Sequence, residues 1–383
     1  MSKVAVIVCK SYEYSQVKRA VEQGLELLGG AAAFVKPGEK ILLKPNLLVG
    51  DPPEKCVTTH PAVFKAAGEL FQRAGAVLSY GDSPGFGKPE AVARKSGILE
   101  AARALHIEMA DFVNGEEVSF AGGIQNKRFI IARGALASEG IISLPKFKTH
   151  ALTRLTGSIK NQFGCIPGIL KGEYHVKLPD VNNFAQMLVD LNLFLKPRLF
   201  IMDGIMAMEG NGPRGGRPKK MNVLLFSSDP VALDATVCRM IGLEPNSIPT
   251  IEAGMKSGLG TCLETNIEIL GDDLKQFSCP EFEVQRAPAP TPGNKAVSSI
   301  VSNLLIPKPI INAEACIRCG LCIDVCPVQP KVPRWPDGDE ARPPVYDYNR
   351  CIRCYCCQEL CPESAIEVKV PLMRRGLDKL IKG

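Results

Sequence analysis

Short apolar runs, each bounded by polar or turn-forming residues, recur along most of the chain. Runs of four or five apolar residues with such boundaries are typical of strands that are buried on both faces of a sheet. The pattern predicts seven of these strands, at residues 4–8, 40–44, 76–80, 140–144, 198–202, 222–226 and 267–270.

Between several of these runs, apolar residues recur with the spacing of an α-helix. This spacing predicts helices at residues 14–28, 61–74, 182–195 and 230–241. The first, second and fourth begin close to Ser, Thr or Asp residues, which commonly cap helix N-termini. Alternating strands and helices favour an open sheet covered on both faces. We therefore predict an α/β domain with three layers and a mostly parallel sheet.

A proline-rich segment interrupts this pattern. Residues 287–295, APAPTPGNK, show no apolar periodicity, and a second break at residues 306–309 follows a short predicted helix at residues 296–305. Such composition is typical of a linker. We divide the chain into an α/β domain at residues 1–285, a Pro-rich linker at 286–310, a small domain at 311–370 and a basic tail at 371–383.

The small domain contains an internal repeat that is rich in cysteine. INAEACIRCGLCIDVCP and YDYNRCIRCYCCQELCP align cysteine for cysteine. Both halves fit the pattern C-x2-C-x2-C-x3-C-P, in which three neighbouring thiolates bind one 4Fe-4S cluster and the fourth binds the other cluster. We assign cluster one to Cys316, Cys319, Cys322 and Cys361, and cluster two to Cys351, Cys354, Cys357 and Cys326.

Structural zinc and disulfides are the alternatives for a chain with 15 cysteines. Zinc needs only four sulfur ligands per site and has no use for the third cysteine of each triplet. A large chain without a signal peptide is expected in a reducing compartment, where thiols bind metals. Two 4Fe-4S clusters of a ferredoxin-like domain are the predicted cofactors, and Cys356 is a ninth cysteine without a place in them.

Composition narrows the functional classes. The net charge of +6 arises from 46 basic and 40 acidic residues, which is too mild and too dispersed for a typical nucleic-acid-binding protein. No run of 18 apolar residues occurs, and polar residues follow the apolar start VAVIV. We therefore expect neither a transmembrane segment nor a signal peptide, and we predict a cytoplasmic protein. The sequence leaves the oligomeric state open.

Polar residues follow directly after most of the predicted strands. Because the carboxyl ends of parallel strands meet at one edge of a sheet, where α/β proteins bind ligands, we expect these residues to line one crevice. Lysines and an arginine beside glycine-rich turns suit an anionic ligand. The predicted crevice residues are Lys44, Asn46, Asp82, Lys146, Lys148, His150, Lys160, Asn161, Asp203 and Arg214.

Ser228, Asp229 and Asp234 follow the strand predicted at residues 222–226, and we expect them at the same edge. The alternative for the whole set is that polar residues at strand ends only form surface turns. No G-x-G-x-x-G stands between an early strand and a helix, and no G-x4-G-K-[ST] occurs, so the sequence predicts neither a standard dinucleotide fold nor a P-loop.

Several strings of residues together resemble one family. LLKPNLL, GDSPG, LPKFKTH with SIKNQFGC, MDGI with EGNGPRGG, and SSDPVALD are similar to the family known as domain of unknown function 362, in its form fused to a two-cluster ferredoxin. The resemblance implies a redox protein of prokaryotes, often of anaerobes, and implies no particular reaction. By position it carries over the cluster ligands and a site of unknown occupant at the strand ends.

These observations predict an iron-sulfur oxidoreductase that passes single electrons between a redox protein partner and an anionic small molecule or cofactor in the crevice. A flavin or another phosphate-bearing cofactor is one candidate, because it converts single electrons into two-electron chemistry. Two alternatives stay open. One is a non-enzymatic electron carrier whose large domain docks partners, and the other is a sensor or assembly protein controlled by the cluster state. The sequence identifies no catalytic residue.

Overall fold

All seven predicted strands and all four predicted helices are present in the computed structural model, which describes residues 1–286, 304–371 and 373. The strands of the large domain are β1 Ser2–Val8, β2 Lys40–Pro45, β3 Val77–Tyr80, β4 Glu108–Met109, β5 Gly115–Ser119, β6 Arg128–Ala132, β7 Gly140–Leu144, β8 Lys146–His150, β9 Arg154–Leu155, β10 Leu199–Glu209, β11 Arg217–Ser227 and β12 Ile267–Gly271. Its helices are α1 Tyr14–Leu27, α2 Pro61–Arg73, α3 Pro89–Lys95, α4 Ile98–Ala104, α5 Arg133–Leu136, α6 Gly157–Asn161, α7 Leu170–Lys177, α8 Val181–Leu195, α9 Pro230–Met240 and α10 Pro249–Lys256.

Ten of these strands form one mixed sheet. Its order is β12-β1-β11-β10-β7-β2-β3-β4, with β8 beside β10 and β9 beside β8. Most neighbouring pairs are parallel, whereas β11 is antiparallel to both β1 and β10. The carboxyl ends of β1, β2, β3, β7 and β10 therefore meet at one edge, and β11 ends at the opposite edge.

Side chains of the sheet alternate between two hydrophobic cores, one on each face. In β1, Val4 and Val6 belong to the core shared with α8 and α9, while Ala5 and Ile7 belong to the core shared with α1 and α2. This alternation follows from the two-residue period of a strand, and it explains why the strands read as continuous apolar runs. The structure confirms the predicted α/β class with helices on both faces of the sheet.

The cysteine-rich domain is built from two halves that pack on each other. It contains β13 Lys308–Ile311, β14 Pro333–Arg334, β15 Val345–Tyr346, β16 Ile366–Lys369 and two short helices, Leu321–Asp324 and Cys356–Leu360. β13, from the start of the first half, pairs antiparallel with β16, from the end of the second half. The structure thus shows the small ferredoxin-like domain that the internal repeat predicts.

Several predictions fall on residues outside those that the structure describes. They include most of the linker at 286–310, most of the helix at 296–305 and most of the tail at 371–383. β13 begins at Lys308, inside the range predicted as linker. The domain boundaries stay predictions. Among the described helices, none combines the length and the apolar character needed to cross a bilayer.

Candidate functional site

A cavity of about 630 Å³ lies between the α/β domain and the cysteine-rich domain. This volume is within the range of small-molecule sites, roughly 300 to 1,000 Å³. On one side the cavity is lined by five predicted crevice residues, namely Asn46, Asp82, Lys148, Lys160 and Asn161. On the other side it is lined by residues of the cysteine-rich domain, among them Cys326, Cys356, Glu359 and Leu360.

Lys44 and Asp82 form a buried ion pair behind this wall. Lys44 Nζ lies 2.8 Å from Asp82 Oδ1 and also donates to Asn161 Oδ1 at 3.2 Å. Asp82 Oδ2 accepts the Leu47 N–H at 2.7 Å. A Cβ atom on Gly164 would collide with Asp82 Oδ1, so only glycine allows this backbone to approach the pair. The pair holds the ends of β2 and β3 against the segment after α6.

Lys148, on β8, is buried and forms its hydrogen bonds within the wall of the cavity. Its Nζ donates to Asn46 Oδ1 at 2.7 Å and to Val57 O at 2.6 Å. Asn46 Nδ2 in turn donates to Asn161 Oδ1 at 3.1 Å. Burial, together with the positive charge of Lys160, lowers the pKa of Lys148 well below its usual value. Lys148 therefore positions Asn46 and is a weak source of positive charge for a ligand.

Lys160, on α6, lines the cavity with an ammonium group that is available to bind a ligand. Within the described part of the chain, its Nζ has no hydrogen-bond acceptor and no ion-pair partner, and it stands 5.7 Å from the centre of the Phe163 ring. Burial lowers the pKa of Lys160, an effect that the nearby Glu359 carboxylate opposes.

Lys171 and His175 of α7 also line the cavity. They were not predicted, because the prediction considered only polar residues that follow a strand. Lys171 Nζ donates to Ser83 Oγ and to Ile166 O, both at 2.9 Å, and burial lowers its pKa to about 7. His175 stacks on Phe184 with ring centres 4.4 Å apart. Both residues lie on a helix rather than at a strand end, so no signal that we used could have found them.

His150 and Glu359 meet across the two domains. His150 Nε2 lies 3.0 Å from Glu359 Oε1. His150 Nδ1 accepts the N–H groups of Leu152 and Thr153, so the ring proton is on Nε2 and points to the carboxylate. Burial lowers the pKa of His150 to about 4. Burial acts to raise the pKa of Glu359, but the hydrogen bond from His150 and the positive charge of Lys160 outweigh it and keep that pKa well below its usual value.

Lys146 and Asp203 form a separate buried cluster and do not line the large cavity. Their Nζ and Oδ2 atoms are 2.7 Å apart. Tyr12 OH donates to Asp203 Oδ1 at 2.8 Å, and the Tyr12 ring stacks on His60 at 3.6 Å. Tyr12 follows β1, so a search of the polar residues after each predicted strand could have found it. Because Asp203 is fully engaged, this cluster joins β1, β8 and β10 and offers no open binding position.

Arg214 lies at the contact between the domains and likewise does not line the cavity. Its Nε and Nη2 donate to the two carboxylate oxygens of Asp51 at 2.6 and 3.1 Å, and its Nη1 donates to Leu360 O at 2.7 Å. Beside it, Gln358 Nε2 donates to Asn211 O at 2.8 Å. In this structure Arg214 connects the α/β domain to the cysteine-rich domain, whereas the sequence predicted that it would bind an anion in the crevice.

Ser228, Asp229 and Asp234 are not at the crevice, so that expectation was wrong. They follow β11, which runs antiparallel to its neighbours and ends at the opposite edge of the sheet. Asp229 caps α9 by accepting the N–H groups of Val231 and Ala232. Asp234 is buried and accepts the Ser158 N–H at 2.6 Å. These side chains have structural roles.

Two small cavities in the cysteine-rich domain are each surrounded by four cysteines. The first cluster cavity is lined by Cys316, Cys319, Cys322 and Cys361. The second cluster cavity is lined by Cys326, Cys351, Cys354 and Cys357. Each set supplies the four thiolates that a 4Fe-4S cluster requires, and the grouping is that of the crossed assignment. Cys356 lines neither of them and faces the large cavity.

No three His, Cys, Asp or Glu side chains of the described residues are placed to hold a single metal ion. This finding does not count against a cluster, because the thiolates of a cubane each bond a different iron atom and so stand farther apart than the ligands of one ion. The ligand assignment stays a prediction.

Two family models and one curated protein are similar to this chain. Residues 41–239 match a domain of unknown function, DUF362, and residues 308–362 match a 4Fe-4S dicluster domain. Thylakoid-associated protein sll1697 of Synechocystis sp. is 38% identical over 260 residues, which are 68% of this chain and 80% of that protein. The two matched regions cover the two domains that enclose the large cavity.

Proposed function

Because this chain belongs to the DUF362 family and carries a 4Fe-4S dicluster domain, which is an electron-transfer module, we propose that it is an oxidoreductase in which cluster two exchanges single electrons with a small molecule in the large cavity. One observation carries the proposal. Cys326 and the adjacent Pro327 line both the second cluster cavity and the large cavity. A ligand in the large cavity would therefore be separated from cluster two by a single layer of side chains.

The charges of the cavity favour a ligand with one or two acceptor oxygens. A phosphate-bearing cofactor such as a flavin would need several free cations. Lys44, Lys146 and Arg214 are instead paired with Asp82, Asp203 and Asp51. Lys160 is the predicted cation that keeps its donors for a ligand, and the carboxylates of Asp82 and Glu359 line the same cavity. This balance of charges argues against the phosphate-bearing cofactor that the sequence analysis gave as one candidate.

Anaerobic purification followed by iron and sulfide counts, EPR spectroscopy and identification of any released small molecule tests the two domains together. A cavity-filling variant makes the test specific. Gly172 lines the cavity, and a Cβ atom there would stand 3.4 Å from Pro327 Cβ, which is an ordinary contact. Gly172→Ala should therefore be tolerated, whereas Gly172→Leu extends a side chain into the cavity.

We expect Gly172→Leu to keep its iron content and to lose electron transfer to small molecules. The dithionite-reduced protein would be mixed with flavin mononucleotide, fumarate or a water-soluble benzoquinone, and reoxidation would be followed by absorbance. At least one acceptor should react about tenfold more slowly with Gly172→Leu than with the wild type or with Gly172→Ala. Equal rates for every acceptor would mean that the cavity is not the route, and the proposal would fall.

An electron carrier without a substrate is the second candidate. The Cys319 thiol is exposed, and the neighbouring Ile317 is 58% exposed, so cluster one would be open to a partner protein. A carrier of this kind would exchange electrons with a small ferredoxin equally well in the wild type and in Gly172→Leu, and neither would react with the small acceptors faster than a ferredoxin that lacks the α/β domain.

A cytoplasmic location, an anaerobic host and a redox protein partner are parts of the same proposal. The similar Synechocystis protein is described as thylakoid-associated, and an association with membranes is the competing proposal for this chain. Fractionation of cells that express the tagged protein, with immunodetection in the membrane and supernatant fractions, distinguishes the two.

A further inference from the structure

Three apolar side chains stand together with the charged Glu173, Lys177 and Asp324 at the mouth of the large cavity. Ile169 is 88% exposed, Phe86 is 53% exposed and Val176 is 44% exposed, and all three line the cavity. A side chain that lines a cavity and is also strongly exposed must stand at its opening. Phe86 belongs to the loop after β3, Val176 belongs to α7, and Ile169 is the residue before α7. Different segments therefore contribute apolar side chains to this rim. Exposed apolar groups around a pocket mark a binding surface.

The inner wall offers two hydrogen-bond donors. Thr156 is 5% exposed, lines the cavity, and its Oγ has no partner among the described residues. Lys160 follows four residues later, with its Nζ likewise without a partner within the described ranges. Both residues line the same cavity, Thr156 just before α6 and Lys160 within it. A buried hydroxyl without a partner is costly, so this wall suits a ligand that brings an acceptor oxygen.

From this arrangement we propose that the cavity binds a lipid-soluble quinone, whose carbonyl oxygen accepts from Thr156 and Lys160 and whose apolar tail lies on the Phe86, Ile169 and Val176 rim. The proposal rests on the proposed function and specifies its substrate. A quinone is neutral, as the mixed charges of the wall require, and it accepts electrons one at a time, as an iron-sulfur relay delivers them.

The reaction balances with a one-electron donor protein of low potential as the reductant. One quinone takes up two electrons, which arrive singly through the cysteine-rich domain, and two protons from solvent. Both carbonyl groups become hydroxyl groups, so that two O–H bonds form and the quinol leaves. Two molecules of the reduced donor protein are oxidised for each quinol.

Binding to the oxidised, cluster-loaded protein provides the first test. Titration calorimetry would compare decylubiquinone with the same head group without a tail. We expect the tailed compound to bind at least about tenfold more tightly, because several methylene groups leave water on the rim. Thr156→Val and Lys160→Met should each weaken both compounds by about tenfold, since each removes one donor to the shared head.

A rim variant separates the tail from the head. Ile169→Asp places a charge on the rim, and we expect the ratio of the two affinities to fall toward one. Ile124 is 66% exposed and does not line the cavity, so Ile124→Asp is the matched control and should keep the wild-type ratio. Because Ile169 and Ile124 are both exposed, we expect both variants to fold like the wild type, and far-UV circular dichroism would verify this.

The outcomes distinguish this inference from the proposed function. Tight binding of decylubiquinone, lost in the rim and donor variants, supports both. Equal affinity for the two compounds, or no quinone binding while fumarate or flavin mononucleotide reoxidises the wild type faster than Gly172→Leu, overturns the quinone and leaves the proposed function standing. If no acceptor distinguishes the wild type from Gly172→Leu, both are overturned.

Discussion

The lysines at the strand ends and the cavity differ in whether a carboxylate accompanies their charge. Lys44 and Lys146 are buried and each face one aspartate, at 2.8 and 2.7 Å, whereas the half-buried Lys160 faces the cavity without an ion-pair or hydrogen-bond partner within the described ranges. A buried charge is costly unless it is paired and hydrogen-bonded. The paired lysines are therefore parts of the scaffold, and the unpaired one is the residue to test for binding.

Replacing Lys44 by methionine tests its scaffold role. Lys44→Met would leave the Asp82 carboxylate buried without its cation, and we expect a loss of about 3 to 5 kcal/mol in the free energy of unfolding. Lys177 pairs with Glu173 at the surface, so Lys177→Met is the matched control and should cost much less. Urea unfolding under anaerobic conditions, followed by far-UV circular dichroism, measures both. Equal losses in the two variants would contradict a scaffold role for Lys44.

His60 makes a prediction about pH. Burial lowers its pKa to about 4, although the nearby Asp203 carboxylate opposes this shift. An exposed imidazole titrates near about 6.5. Between these values the folded protein holds fewer protons than the unfolded chain, so the free energy of unfolding falls as the pH falls from about 6.5 toward 4.

When the pH is lowered from about 7.5 to 5.5, we expect the free energy of unfolding to decrease by about 1 kcal/mol less in His60→Asn than in the wild type. Asparagine can still accept the Ala62 N–H at the start of α2, as His60 Nδ1 does. His106 is exposed and has φ 54°, which asparagine also tolerates, so His106→Asn is the control and should keep the wild-type pH dependence. Urea unfolding at the two pH values measures the difference, and an unchanged fall in His60→Asn would refute the prediction.

At the scale of elements, the two ligand loops repeat one backbone conformation. Arg318 and Arg353, at equivalent positions of the repeat, both have φ 59°. Gly320 and Tyr355 are also equivalent, with φ 74° and 63°. A left-handed conformation is unfavourable for arginine and tyrosine, so its recurrence shows that the fold of the repeat and not residue preference sets these loops. The repeat seen in sequence is thus a repeat in structure.

Paired cysteine variants test the crossed ligand assignment. In that assignment Cys316 and Cys326 belong to different clusters, while Cys316 and Cys361 belong to the same one. The double variant Cys316→Ser with Cys326→Ser should therefore lose both clusters. Cys316→Ser with Cys361→Ser should keep one cluster, and with it about half of the iron.

Iron and sulfide counts, together with EPR of the reduced protein, give the result. Cys356→Ser is the control and should keep the full iron content, because Cys356 faces the large cavity and not a cluster cavity. If the first double variant retained one cluster and the second none, the ligands of each cluster would come from a single half of the repeat.

At the scale of the whole molecule, the contact between the two domains closes the large cavity. Leu360 of the cysteine-rich domain packs in one hydrophobic cluster with Val49, Cys56, Val57 and Met208 of the α/β domain. Hydrogen bonds from Arg214, Gln358 and Asn211 surround this cluster. The interface is therefore what gives the cavity its second wall and brings Cys326 next to the strand ends.

Arg214 tests the strength of this contact. Arg214→Leu removes charge-assisted hydrogen bonds that typically contribute about 1.5 to 3 kcal/mol each. We expect the amides of the helix Cys356–Leu360 to exchange hydrogen for deuterium at least about tenfold faster. Arg217 has a side chain that is 70% exposed and pairs with Glu283 at the surface, so Arg217→Leu should leave this exchange unchanged. Unchanged protection in Arg214→Leu would show that the apolar cluster alone holds the domains.

The sequence predicted the elements that have strong local patterns. β1, β2 and β7 contain short apolar runs, and α8 has a clear helical period. It did not predict the hairpin β5 to β6 or the strand β8, because β5 is mostly polar and β8 carries two lysines and a histidine. β8 pairs with β10, which is distant in sequence, and a local pattern gives no information about that pairing.

By itself, the sequence determined the two kinds of domain and predicted the eight cluster cysteines, because period, spacing and repetition are properties of neighbouring residues. Only the tertiary structure decided which strand-end residues meet. The antiparallel direction of β11 moved Asp229 to the opposite edge, Asp234 binds the first amides of α6, and burial paired Lys44 with Asp82 and Arg214 with Asp51. Five of the ten predicted residues line the cavity, together with Lys171 and Cys326, since the cavity exists only where two domains far apart in sequence pack against each other.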